Sequence, residues 1–86
     1  MSVRLLYFAW VREKLGVAEE TVTLPADVAS VADVLAWQAA RGDQHAEVFR
    51  HGKGIVRVAV DQMHAQPSAS VAGAREIAFF PPVTGG

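Results

Sequence analysis

Pro81-Pro82 closes the folded part of this chain. Proline has no amide hydrogen to give to a ladder, and its ring blocks the helical turn before it. The segment Pro81-Pro82-Val83-Thr84-Gly85-Gly86 is therefore neither a strand interior nor a helix. The run just before it, Glu76-Ile77-Ala78-Phe79-Phe80, is rich in branched and aromatic residues and reads as a strand. The earlier residues must supply the other elements and most of the core. No cysteine is present, so neither a disulfide nor a thiolate metal site can hold them. In 86 residues apolar packing has to suffice, and a 51% hydrophobic content, mostly alanine and valine, makes that feasible.

The rest divides readily. Val3 to Phe8 reads as a strand. Ala9 to Leu15, with Val11 and Leu15 four apart, predicts a short helix stopped by Gly16. Glu20 to Leu24 alternates as a second strand, and Pro25 ends it. Ser30 can cap the main helix, with Asp33 three residues on as in a capping box. Val31, Val34 and Leu35 form its apolar stripe, and Gly42 follows Arg41 as a stop. Gln38 falls on the next turn of that stripe, so Trp37 is expected partly buried beside it. Asp43 to Gly54 is polar and glycine-bearing; it predicts a loop with at most a turn of helix, pegged by Val48 and Phe49. Ile55 to Val60 is the clearest strand. Asp61 to Ser70 is turn-rich with room for a very short strand, and Gly73 to Arg75 is a turn. Strands around one main helix predict a single sheet with that helix across one face, an α+β layer.

Alternate strand residues share a face. Val3, Leu5 and Tyr7, with Ile77 and Phe79 and with Val56, Val58 and Val60, should meet the helix stripe. The opposite face then holds Arg4, Leu6 and Phe8, Ala78 and Phe80, and Arg57 and Ala59. A face that meets only water should be polar. Two phenylalanines and a leucine there predict either a partner surface or cover from the short helix or a loop.

Charge and histidine spacing exclude several functions. Eight Lys and Arg against nine Asp and Glu, a net charge of -1, argue against a nucleic-acid binder and a polybasic membrane anchor. No secretory signal or membrane-length apolar run is visible, so a soluble intracellular, cytoplasmic protein is expected. His45, His51 and His64 lack metal-ligand spacing, and solvated histidines are the better account. His51-Gly52-Lys53-Gly54 lacks the spacing of a phosphate loop, and nothing orders Ser, His and Asp into a triad. Arg4, Arg12 and Arg57 read equally as solvated arginines or as salt links to a partner.

The tail is the chemical feature. Two prolines stiffen it, and Gly85 and Gly86 strip its tip of side chains. At about 3.3–3.6 Å per residue its six residues could reach roughly 20 Å. Such a rod can thread a channel too narrow for any side chain. The reactive group at the tip is the α-carboxylate of Gly86, inert until another protein activates it. The alternative is a frayed terminus.

These residues bring a family into view. Tyr7-Phe8-Ala9 followed by Arg12-Glu13 and Gly16, Ser30-Val31, Val58-Ala59-Val60, and above all Glu76 through Gly86 resemble the molybdopterin synthase small subunits. The resemblance covers essentially the whole chain, and its specific part is the C-terminal block. It implies a ubiquitin-like β-grasp over residues 1–80, a mixed sheet with one main helix on one face, and a flexible Gly-Gly tail over 81–86. It implies that a ubiquitin-activating-like enzyme uses ATP to adenylate Gly86 and that a sulfur donor system makes the thiocarboxylate. The tail then delivers sulfur to cyclic pyranopterin monophosphate in the large synthase subunit, with Gly85 needed for threading. Two charged carriers are needed per product. The small subunit would be no self-sufficient enzyme and would bind no cofactor or metal itself. Carried over to this chain, the contact positions are Leu6, Phe8, His64, Phe80, Pro81, Pro82, Val83 and Thr84, which favours a partner surface on the outer face. This sequence departs from the family at Ala74-Arg75, where Gly-Asp is usual, at Asp61 for Asn, and at His64 for an apolar residue. The alternatives are a sulfur carrier for thiamine, cysteine or tRNA, a ubiquitin-like protein modifier, and a non-reactive interaction domain.

Overall fold

Apolar residues alternate with others along the first strand, and the backbone follows. In the computed structural model, which describes residues 2–50 and 56–82, β1 spans Ser2–Tyr7 and buries Val3, Leu5 and Tyr7. Phe8 stays extended while its carbonyl accepts from the amides of Val11 and Arg12, opening α1, Ala9–Leu15. Gly16 ends α1 at φ 80°, its amide donating to the Arg12 carbonyl at 2.8 Å. A left-handed residue here favours glycine, as the sequence predicts. β2, Glu19–Thr23, begins one residue early and leaves Leu24 outside the ladder.

The capping box at Ser30 and Asp33 is complete and opens α2, Val31–Ala39. Val31 and Val34 are buried and Leu35 half-buried. Gln38 itself, at 0% exposure, fills the next turn of the stripe. Trp37 is half-buried as expected, with the Arg41 guanidinium 4.7 Å from its ring centroid.

One expectation fails. Asp43–Phe49, expected as loop, is the helix α3. The expected pegs do hold it, since Val48 is buried and Phe49 meets the Phe79 ring edge-on at 5.2 Å. A seven-residue helix is marginal by itself, so the sequence signal is weak. Burial of Val48 and Phe49 stabilises it.

β3, Arg57–Val60, and β4, Met63–Ala65, form a hairpin, and β5 spans Glu76–Phe80. Val56 is half-buried beside β3, and Ile55 lies outside the described residues. The hairpin turn puts Asp61 at φ 49° and Gln62 at φ 72°. Two positive φ values match the strand twist, but side chains resist them. Gln62→Gly should therefore raise stability by about 0.5–1 kcal/mol, read as a higher urea midpoint. Asp61 ties this turn to β5. Its amide donates to the Glu76 carbonyl, and its carboxylate accepts from the amides of Arg75 and Glu76 at 3.0 Å each. Together with Gly73 at φ 71°, it shapes the turn before the last strand.

The sheet order is β2-β1-β5-β3-β4. β1 and β5 pair in parallel near its middle, and the other neighbours are antiparallel. Val11 of α1, Val31 and Val34 of α2 and Val48 of α3 enter one cluster with Leu5, Tyr7, Ile77 and Phe79. The described helices thus all bury side chains on the same side of the sheet. None is long and apolar enough to cross a membrane.

Candidate functional site

The outer face is built by the residues that alternate with the core. Tyr7 points in and Phe8 out; Phe79 points in and Phe80 out. The register sets Leu6 beside Ala78, Ala78 beside Ala59, and Phe80 beside Arg57. On β4, His64 stands opposite Ala59 and meets the Phe80 ring edge-on at 5.4 Å. Ala59 and Ala78 form the floor, each 9% exposed. Leu6 and Phe80 are half-buried, Phe8 is 48% exposed, and His64 is exposed. Because α1 packs into the core through Val11, it does not cover this face. Among the described residues the apolar surface is open.

Phe80 leads directly into Pro81 and Pro82, both half-buried. The patch and the root of the tail are thus one continuous surface. Of the expected site residues, Leu6, Phe8, His64, Phe80, Pro81 and Pro82 gather there. Val83, Thr84, Gly85 and Gly86 lie outside the described residues. The upper end of the face is polar: Arg4 donates to Glu76 at 2.9 Å and lies 3.9 Å from Glu19. Arg4 is exposed, as a solvated surface arginine would be, and it also makes a salt link within the chain because β5 brings Glu76 beside it.

Beneath the patch lies a polar network that the sequence reading missed. Tyr7 donates its hydroxyl proton to Glu20 at 2.6 Å and accepts from the Gln38 amide at 2.9 Å. Arg41 forks onto both Glu20 oxygens at 2.8 and 2.9 Å and also donates to the Gln38 carbonyl. The readable signal was Gln38 on an apolar stripe, because a buried amide needs partners. The network fixes Tyr7, whose ring stacks on Phe79 at 5.6 Å, and so fixes the two strands that present Phe8 and Phe80.

Burial pushes the Tyr7 hydroxyl up, and its bond to Glu20 adds to this. The Arg41 fork holds Glu20 down to about 2, from an ordinary 4.5. A carboxylate lowered on folding stabilises above its unfolded value, and that stability fades as pH falls from 4.5 toward 2. Glu20 is partly solvated, so screening reduces its share to about 1 kcal/mol. Glu20→Gln should flatten this stretch of the stability profile in acid urea titrations, leaving the portion due to Asp33. Asp33 is held low by the amides of Ala29 and Ser30.

No group of three or more His, Asp or Glu among the described residues is placed to hold a metal ion. The described residues offer a surface for recognition: an apolar face that runs into a proline-stiffened strand exit. A mixed five-stranded sheet with helices packed on one face and the other face open makes this a ubiquitin-like β-grasp protein. The ThiS family profile matches residues 5–86, and the chain belongs to that family. Among its relatives, the molybdopterin synthase sulfur carrier subunit of Haemophilus influenzae is 38% identical, covering 98% of this chain and 99% of that one. The subunit of the same name from Escherichia coli is 34% identical over the same shares. Among solved structures, a Pyrococcus furiosus protein assigned as molybdopterin converting factor, subunit 1, superposes with a TM-score of 0.73 at 27% identity, covering 96% of this chain and 99% of that one. SAMP1 from Haloferax volcanii superposes at 0.72 with 26% identity over the full length of both chains.

Proposed function

We propose that this protein is the sulfur carrier subunit of a molybdopterin synthase. The observation that carries the reading is the continuity between the open apolar face and the root of the tail. A partner gripping Leu6, Phe8 and Phe80 would hold Pro81-Pro82 at the mouth of its own site. The names of the Haemophilus and Escherichia relatives supply the substrate class. In this reading a ubiquitin-activating-like enzyme transfers AMP from ATP to the Gly86 carboxylate, releasing pyrophosphate. A sulfur donor system displaces the AMP and leaves a thiocarboxylate. The large synthase subunit then receives the tail, and the sulfur passes to cyclic pyranopterin monophosphate. Gly85 keeps the approach bare, and all of this belongs in the cytoplasm, with its ATP. The chain itself contributes the docking face, the reach and the carboxylate, and ATP is bound by its activating partner.

An intact-mass spectrum of protein isolated from its own cells tests this directly. A fraction should be heavier by the exchange of one oxygen for sulfur, localised to Gly86 by fragmentation. A population never thiolated, in cells making molybdopterin, would remove the carrier role. An isopeptide from Gly86 to lysine would mark a protein modifier instead.

A further inference from the structure

The outer face is not electrically even. At its upper end Arg4 is neutralised within the chain by Glu76 and Glu19. Asp61, at the hairpin turn, is engaged by the amides of Arg75 and Glu76. At the tail end, exposed Arg57 stands opposite Phe80 in the β3–β5 register, and His64 lies edge-on to the same ring. Among the described residues the paired cations are Arg4, Lys14 and Arg41, not Arg57. Residues 1, 51–55 and 83–86 contain no Asp or Glu, and their one carboxylate is the Gly86 terminus, which the docking proposed above delivers into the partner's own site.

Desolvation makes this consequential. A partner that buries Phe80 must also cover the guanidinium in register with it. Taking an unpaired charge out of water is strongly unfavourable, so the covering surface has to offer an acceptor there. We infer that the partner docking on this face presents a carboxylate over Arg57 and His64. The β3–β4 corner then selects among partners by charge, while Leu6, Phe8 and Phe80 supply most of the contact. This rests on the docking proposed above and adds the chemistry of the complementary surface.

The test uses the full chain and the purified large subunit of molybdopterin synthase from the same genome. Affinity is measured by titration calorimetry at low and high salt, and circular dichroism confirms the fold of each variant. Arg57→Leu should weaken binding roughly thirtyfold or more by leaving the facing carboxylate unpaired, and should flatten the salt dependence. Arg57→Glu should weaken it further. Leucine would suit an apolar facing surface, so equal or tighter binding by Arg57→Leu overturns the inference. If Phe80→Glu still disrupts binding in that case, the docking face itself stands. No binding by the unaltered chain, or affinity indifferent to Phe80→Glu, removes the docking face and the inference together.

Discussion

One alanine added after Gly86 is expected to abolish sulfur transfer while leaving the melting temperature where it was. The added residue moves the reactive carboxylate by about 3.3–3.6 Å and puts a methyl group at a tip that has to be bare. Misplacing a reacting group by even ~1 Å can lower a rate about a hundredfold, so a full residue should reduce transfer to background. The fold should not notice, because among the described residues every member of the buried cluster lies at or before Phe79. The assay reconstitutes the activating enzyme, sulfur donor and large subunit, and reads molybdopterin formed. Undiminished synthesis with the extra alanine still present by mass would mean that Gly86 does not carry the sulfur.

Phe79→Ala should act in the opposite way, through the fold. Phe79 is fully buried, stacked on Tyr7 and met edge-on by Phe49. Emptying such a site costs about 3–5 kcal/mol in lost transfer energy and residual cavity. A domain of this size has about 4–13 kcal/mol in total, so the variant should be partly unfolded or melt far lower. Urea denaturation followed by tryptophan fluorescence would show it, since Trp10 and Trp37 pack against the same cluster. A loss under ~1 kcal/mol would contradict the packing described. Phe80, one residue on, should respond differently: its loss matters for docking far more than for folding. Adjacent phenylalanines thus separate stability from recognition, because a strand sends neighbours to opposite faces.

That alternation explains how much could be read without coordinates. The strands, the Ser30 cap, the Gly16 stop and both sheet faces follow from local rules: period two, a hydroxyl three residues before a carboxylate, a glycine where φ turns positive. Where local rules are silent, tertiary packing decides the structure. The helix Asp43–Phe49 has no strong signal of its own and exists because Val48 and Phe49 find the core. Gln38 looked like a gap in a stripe, and only the approach of Tyr7 and Arg41 makes it a filled position.

The candidate site divides the same way. The sequence determined which residues are available, namely two phenylalanines out of phase with the core and a proline-stiffened exit, because side-chain direction and proline's fixed φ are local properties of the backbone. Tertiary structure alone decided that β5 runs parallel to β1 and antiparallel to β3, bringing Leu6, Phe8, Phe80, Arg57 and His64 onto one surface. It also decided that, among the described residues, Arg4 finds an acid within the chain while Arg57 does not. Strand order is set by burial summed over the whole chain, and no local stretch of residues contains that sum.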